Sequence, residues 1–282
     1  MNKQDKNGIE WCTYTWSPVT GCLHGCEYCY AEKMARRFGG GGYGKEMGMF
    51  ISKYKDDAFK PPYVLEEPQL ARTKDDWYRV APYPFGFAPT FHKYRLDEPI
   101  RVKKPQRIFV VSMGDLFGEW VPDEWQLEVY NACGKADWHK YLFLTKNPKA
   151  YSKVFYRSKL DFRHNFWLGT TVTDDKSFYE KGYDLFESTG CDQKRHAHRF
   201  LSIEPLLGKI SDTTLRNIQF MDWVIIGQQT NPNKPPKNEW VQDIIDQCRT
   251  VNVPVFVKSP LYERFPIQEW PEGLRKEVAE NG

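Results

Sequence analysis

Residues 166–173 read FWLGTTVT, a short apolar run that ends in small and polar residues. Similar runs recur along the chain, at residues 9–14, 107–113, 141–145, 199–204, 223–227 and 254–258. Nearly continuous apolar runs of this length are typical of strands covered on both faces, as in a parallel sheet. Helix-like stretches such as residues 122–135 and 239–250 separate them, which indicates βαβ units. We therefore predict an α/β fold, a partial (β/α) barrel of about six or seven parallel strands.

A long segment, residues 39–105, interrupts this alternation. It begins with the glycine-rich residues 39–44 and is rich in aromatic side chains, as in residues 83–91 (YPFGFAPTF). Such a segment inside a compact domain is usually functional or disordered, and its aromatic content argues against disorder. We interpret residues 1–282 as a single domain with an aromatic-rich insertion at residues 39–105, after the first βα unit. A second loop, residues 230–237, is expected over the mouth of the barrel.

The composition indicates a globular protein, with 40% hydrophobic and 27% charged residues. No apolar run is long enough to span a membrane, and the first residues lack the apolar core of a signal peptide. We therefore expect a cytoplasmic protein without a membrane partner. The net charge of +3 is only mildly basic and does not by itself indicate a nucleic-acid partner.

Three of the seven cysteines lie close together in the stretch that follows Gly21, GCLHGCEYCYAEKMARRF. Cys22, Cys26 and Cys29 are separated by three and then two residues, so their thiolates can converge on one soft metal centre. Three thiolates would leave one iron of a cubane cluster open to a small chelating molecule. The alternative is structural zinc with His24 as a fourth ligand, although zinc ribbons usually pair two CxxC knuckles and the chain has no second one.

Further candidates follow the predicted strands, because function gathers at the carboxyl ends of the strands in a parallel barrel. Glu204 lies at such an end before a proline, where a carboxylate is costly unless it is paired or functional, so it is our candidate acid. Lys146 could bind a carboxylate or a phosphate. The other strand-end candidates are Ser112, Gly114, Asp115, Thr171, Thr173, Ser202 and Ile225.

The cysteine spacing, with Tyr28 directly before the third cysteine, resembles the signature of the radical S-adenosylmethionine (radical SAM) superfamily. Within it the chain resembles the phage-associated three-Cys-motif family, in the stretches WSPVTGC, CEYCYAEKMARRF, RIFVVSMGDLF, YLFLTKNP, LSIEPLLG, DWVIIG and VPVFVK. Two features depart from that family's pattern. The first cysteine spacer is shorter, and residues 227–230 read GQQT where relatives tend to have Gly-Gly-Glu-Ser.

The resemblance implies a [4Fe-4S] cluster on Cys22, Cys26 and Cys29, with S-adenosylmethionine chelating the open iron. One electron, from a flavodoxin or ferredoxin type of donor, would cleave the sulfonium to a 5′-deoxyadenosyl radical that takes a hydrogen atom from the substrate. It also implies that Asp115 and Gly114 hold the amino group of the cofactor and that polar groups near Thr171 and Thr173 contact its ribose. Tyr28, Ser112, Ser202 and Ile225 complete the expected cofactor site, and Glu204 and Lys146 are the expected catalytic residues.

For the substrate we favour a nucleic acid base or a nucleotide. The phage-type resemblance, the aromatic insertion and the basic clusters at residues 33–37, 103–107 and 194–199 motivate this choice. The alternatives are a radical SAM enzyme that modifies a peptide or protein side chain, and a non-catalytic zinc-binding module.

Overall fold

The computed structural model describes residues 1–5, 8–39, 61–72, 77–157, 165–190 and 197–275. The strands in this part of the chain are β1 (Asn2–Lys3), β2 (Tyr14–Trp16), β3 (Val19–Thr20), β4 (Tyr63–Leu65), β5 (Leu70–Arg72), β6 (Tyr78–Val80), β7 (Thr90–His92), β8 (Arg107–Val110), β9 (Lys140–Thr145), β10 (Phe166–Val172), β11 (His198–Ile203), β12 (Trp223–Ile226), β13 (Gln229–Thr230), β14 (Asn233–Lys234) and β15 (Val255–Val257). The α-helices are α1 (Tyr30–Gly39), α2 (Glu98–Arg101), α3 (Asp123–Gly134), α4 (Ala150–Arg157), α5 (Asp175–Ser188), α6 (Asp212–Leu215) and α7 (Asn238–Thr250). Short 3₁₀ helices cover Lys93–Arg95, Arg216–Phe220, Leu261–Glu263 and Glu272–Leu274.

The main sheet has eight strands in the order β1-β2-β8-β9-β10-β11-β12-β15. Only β1 is antiparallel to its neighbour, and the other seven strands are parallel and follow one another in chain order. This order is the one that repeated right-handed βα units produce. The predicted α/β fold with a large parallel sheet is confirmed, whereas curvature of that sheet into a barrel stays a prediction.

The side chains of the sheet divide into two buried clusters because successive residues of a strand point to opposite faces. One face carries residues such as Tyr141, Phe143 and Leu201, which pack against helices. The opposite face is rich in aromatic side chains, and we call it the aromatic face. Its members are Phe109, Leu142, Trp167, Phe200, Trp223, Ile225 and Phe256, joined by Trp11, Cys12 and Leu274 from flanking segments.

The first parallel strand lies later in the chain than its apolar run predicts. The run at residues 9–14 includes Trp11, which packs on the aromatic face with its ring centroid 4.5 Å from that of Phe109 and 6.0 Å from that of Phe200. Because these residues fill space beside the sheet instead of pairing within it, the strand β2 begins only at Tyr14. The expected strand at residues 9–14 is therefore wrong in position, and the apolar pattern reflects burial alone.

Strands of the described part of the insertion take part in two small sheets, one of which also includes β3 from before the cysteines. Strands β3, β7 and β4 pair in that order, and β5 pairs with β6. The buried His92 of β7 places its Nε2 2.9 Å from the hydroxyl of Thr20, and its amide donates to the carbonyl of Pro18. The insertion thus braces the segment that leads into the cysteines. Its residues 40–60 and 73–76 lie outside the described part of the chain.

Within the described residues, no helix combines the length and apolar character needed to cross a membrane.

Candidate functional site

The loop that carries the three cysteines begins at Gly21 and Cys22, which are hydrogen-bonded to the segment after β8 and to the insertion. Gly21 donates its amide to the carbonyl of Met113 at 2.9 Å and forms a parallel bridge with Gly114, while the amide of Cys22 donates to the carbonyl of Phe87. Gly21 has φ +88°, and a Cβ there would lie 2.7 Å from the carbonyl oxygen of Phe87. A Cβ on Gly114 would lie 2.6 Å from the carbonyl oxygen of Gly21. Both glycines therefore permit the close approach that fixes the loop.

The three thiols are free, and two of them accept backbone hydrogen bonds. The sulfur of Cys22 accepts from the amide of His24 at 3.5 Å, and the sulfur of Cys29 accepts from the amide of Glu32 at 3.3 Å in the first turn of α1. Burial raises the pKa of the Cys22 thiol to about 12. Amides that point at sulfur are a common environment for metal-bound thiolates, because they spread the negative charge.

The residue types fit a thiolate-held cluster, but the side chains do not converge. No group of three or more histidine, cysteine, aspartate or glutamate side chains in the described residues is arranged to hold a metal ion. Three thiolates brought together repel one another unless a cation neutralises them, so convergence is expected only with the metal. The donor chemistry is therefore compatible with the group that the sequence implies.

Asp115, which follows β8, is almost fully buried, at 4% exposure. Its Oδ1 accepts from the hydroxyl of Thr145 at 2.7 Å and from the amide of Phe117 at 3.0 Å. Its Oδ2 accepts from the amide of Lys146 at 3.0 Å and lies 2.8 Å from Nε2 of His24. A carboxylate has about four lone-pair sites, so these partners use its whole acceptor capacity. A ligand ammonium group would have to displace one of them, and the expected contact of Asp115 with the cofactor stays a prediction.

Two tyrosines that flank Cys29 connect the loop to the strand ends. The ammonium group of Lys146, after β9, donates to the hydroxyl of Tyr28 at 3.0 Å and lies 5.1 Å from the centre of its ring. Burial acts to lower the pKa of Lys146, but the hydrogen bond with Tyr28 and nearby negative groups outweigh it and raise the pKa. The hydroxyl of Tyr30 donates to the carbonyl of Ser112 at 2.7 Å. The structure thus brings four of the expected site residues against the cysteine loop, namely Ser112, Gly114, Asp115 and Lys146.

A second cluster forms where β11, β12 and β15 end. Glu204 makes an ion pair with Lys258, and their side chains are 27% and 19% exposed. Gly227 lies directly against this pair, because a Cβ there would be 2.9 Å from both Cγ and Cδ of Glu204. The sequence predicted that Glu204 is paired or functional, and the structure identifies the partner.

The remaining cofactor candidates divide into two groups. Thr171, Ser202 and Ile225 lie in one row of register across β10, β11 and β12, and all three are buried. Thr173 instead lies just before α5, where its hydroxyl donates to the carboxylate of Asp174, the residue that caps the helix. The row lies on the aromatic face, toward the same strand ends as the cysteine loop.

Comparison with known proteins identifies the family to which this chain belongs. A family model described as "Protein of unknown function (DUF5131)" matches residues 6–262. The chain belongs to the DUF5131 family. A comparison with curated proteins finds no match. Among solved structures, spore photoproduct lyase complexed with dinucleoside spore photoproduct aligns with a TM-score of 0.40 and 9% identity, over 85% of this chain and 74% of that chain. That likeness is too low to bear on activity, and the association with phages stays a prediction.

Two arginines of the expected basic clusters have structural roles in this DUF5131 chain. The guanidinium of Arg107 lies 3.9 Å from the ring centre of Trp270 and donates to the carbonyl of Leu274. Arg199 is 6% exposed and donates to Thr189 and Gly190. These residues therefore do not form an open basic surface, and residues 194–196 of the third cluster lie outside the described residues.

The DUF5131 chain also holds two contacts at this site that sequence reasoning missed. His24, interpreted as a loop residue or a zinc ligand, is the partner of Asp115 across 91 positions. Lys33 of α1 donates to the carbonyl of Asn231 at 3.4 Å, at the tip of the β13–β14 hairpin. The expected loop after β12 therefore starts with a hairpin that reaches the helix following the cysteines. No local pattern in the sequence indicates either contact.

Proposed function

We propose that this chain is a radical SAM enzyme that holds a [4Fe-4S] cluster on Cys22, Cys26 and Cys29. The observation that carries the proposal is the position of the cysteine loop against the carboxyl ends of the parallel strands. Gly21 bridges to Gly114, and Tyr28 is bound by Lys146. A cysteine triplet of this spacing therefore occurs beside the edge where parallel α/β folds bind their ligands.

The bound cluster and S-adenosylmethionine would supply reductive one-electron cleavage and hydrogen-atom abstraction, with the electron coming from a flavodoxin or ferredoxin type of donor. The chain's own contribution is to bind, orient and exclude water. The row of Thr171, Ser202 and Ile225 would contribute two hydroxyls and an apolar side chain to the cofactor site once the groups that bury these residues move aside. Next to this row, the packed rings of the aromatic face form an apolar surface that excludes water, which would protect a reactive species.

In this proposal, Glu204 and Lys258 act toward the substrate. Their groups are opposite in charge, held together and still partly exposed at the strand ends. A carboxylate beside an ammonium group can accept a hydrogen bond from a substrate N–H or O–H while the ammonium group balances its charge. Lys146, which donates to the hydroxyl of Tyr28, would meet a carboxylate or phosphate group.

The proposed substrate is a nucleic acid base or a nucleotide. The support comes from the described part of the insertion, where Tyr78 of β6 is 69% exposed. An exposed aromatic ring of this kind is a surface on which a base can stack.

The chemistry is tested by anaerobic reconstitution with iron and sulfide, followed by dithionite, S-adenosylmethionine and measurement of 5′-deoxyadenosine. We expect product from the wild type and none from Cys26→Ala. Cys248→Ala is the matched control, because Cys248 is a fully buried thiol of α7 that should leave product formation unchanged. A protein that takes up zinc but neither iron nor sulfide would contradict the proposal and favour the zinc-binding module.

The substrate class is tested separately by fluorescence anisotropy with labelled single-stranded DNA, RNA and nucleotides at low salt. We expect binding that weakens about tenfold or more in Tyr78→Ala, since one stacked base is worth about 1–3 kcal/mol. Tyr179→Ala is the control, because Tyr179 is a similarly exposed aromatic residue on α5. Binding of peptides with no binding of any nucleic acid or nucleotide would favour the peptide-modifying alternative.

A further inference from the structure

We propose that the hydrogen bond between His24 and Asp115 anchors the middle of the cysteine loop, and that His24 is a positioning residue for Cys22 and Cys26. The anchor itself rests on the geometry of the chain alone. Its consequence for the cluster rests on the proposed function.

The fixed end of this anchor is Asp115. Its carboxylate has three hydrogen bonds from residues other than His24, and these come from Thr145, Phe117 and Lys146. Two of those donors belong to the end of β9 and its following turn, and the third belongs to the turn after β8. Asp115 is therefore immobilised by two adjacent strands, and a buried carboxylate held this firmly is a rigid point of attachment.

The movable end is His24, which lies between the first two cysteines. Its Nε2 is 2.8 Å from Oδ2 of Asp115. An ionised carboxylate can only accept, so Nε2 carries the proton in this contact. The imidazole also packs edge-on against Trp120, with ring centroids 4.8 Å apart. The Trp120 ring lies against Gly118, where a Cβ would overlap it. The imidazole is therefore fixed from two sides.

The backbone of His24 transmits this position to a thiol. Its amide donates to the sulfur of Cys22 at 3.5 Å, so the imidazole and the Cys22 sulfur are held by the same residue. The two ends of the loop have their own attachments, through Gly21 at the start and through Tyr28 near the end. His24 supplies the attachment between them. Without it, the span from Cys22 to Cys26 would be held only at its ends.

The test measures alkylation of each cysteine in the metal-free, reduced protein by iodoacetamide, with peptide mass spectrometry. The variants are His24→Ala, His24→Gln and Thr145→Val. Glutamine retains a donor that can reach Asp115. Thr145→Val removes a different hydrogen bond from the same carboxylate and leaves His24 in place.

We expect His24→Ala to raise the alkylation rate of Cys22 by about tenfold, the factor set by losing one hydrogen bond to a charged group from a local opening equilibrium. The rate at Cys29, which caps α1, should change much less. His24→Gln should restore the wild-type rate. Thr145→Val should raise it much less than His24→Ala does, because the amides of Phe117 and Lys146 still hold Asp115. Equal rates at Cys22 in the wild type and His24→Ala would overturn the anchor. A rise in Thr145→Val as large as in His24→Ala would also overturn it, because the effect would then be general loosening.

A second measurement uses the reconstituted protein and follows the release of iron to a chelator. We expect faster release from His24→Ala than from the wild type and from His24→Gln, with unchanged iron and sulfide content at the start. Release at the wild-type rate would overturn the positioning role. If the wild type takes up no cluster, the proposed function fails, while the alkylation rates still decide the anchor.

Discussion

Replacing His92 by asparagine should reduce the loss of stability that this fold undergoes as pH falls from neutrality. The imidazole is fully buried, with Nε2 2.9 Å from the hydroxyl of Thr20 and Nδ1 3.1 Å from the hydroxyl of Tyr94. Burial lowers the pKa of His92 to about 2, and the nearby charge of Arg95 acts in the same direction. The protonated form is therefore almost excluded from the folded protein at ordinary pH.

The direction and size of this pH effect on stability follow from the difference between the pKa of His92 in the folded and in the unfolded chain. The unfolded chain binds a proton at His92 below its ordinary pKa of about 6.5, whereas the folded chain does not until pH falls to about 2. Acid therefore favours the unfolded state throughout this window, and stability is lost as pH falls. Between about pH 7 and pH 5, the single imidazole should lower the free energy of unfolding by about 2 kcal/mol.

The assay is urea unfolding at both pH values, followed by tryptophan fluorescence. Asparagine lacks a titrating group, so His92→Asn should lose about 2 kcal/mol less than the wild type over this interval, whatever its stability at neutral pH. Tyr94→Phe is the matched control, because it removes a partner of the imidazole but keeps the histidine and should keep the wild-type pH dependence. The same pH dependence in His92→Asn and the wild type would refute the reasoning.

Three further substitutions probe close contacts. Gly227→Ala places a methyl group against Glu204 and should destabilise the fold by about 1–3 kcal/mol in urea unfolding, and a neutral effect would show that the carboxylate shifts freely. Gly21→Ala should cost at least about 1 kcal/mol in the same assay, because its backbone is left-handed and its surroundings are full, and an unchanged midpoint would contradict this. Arg107→Lys should lower the thermal midpoint by an amount corresponding to about 1 kcal/mol through weaker contact with Trp270, and an equal midpoint would mean that the stacking contributes nothing.

The parallel sheet could be predicted because each of its strands leaves a local mark on the sequence. A strand such as β10 is buried on both faces, so its apolar run is visible without knowledge of its neighbours. The same mark fails at residues 9–14, where Trp11 and Cys12 are buried on the aromatic face without belonging to a strand. Apolar runs report burial, and burial alone does not distinguish a strand from a segment that packs beside the sheet.

The loop and the contacts around it show a second limit of prediction from the sequence. The strand β8 ends at Val110, before its apolar run does, because Val111 turns the chain with φ +58°. A β-branched residue in that conformation has no sequence signal, since local preference argues against it. The contact of His24 with Asp115 likewise joins residues 91 positions apart, and only the arrangement of the strands creates it.

Asp115 and Glu204 are both carboxylates at strand ends, and their surroundings leave them different capacities to accept a hydrogen bond from a ligand. Asp115 has four hydrogen-bond partners, and its side chain is 6% exposed. Glu204 has an ion pair with Lys258, and its side chain is 27% exposed. A ligand can approach Glu204 without breaking the contacts that hold neighbouring strands, whereas a ligand at Asp115 would have to displace His24 or a strand-end amide. Of the two acids, Glu204 is thus the one with acceptor capacity left for a substrate, and Asp115 is the one that holds the loop in place.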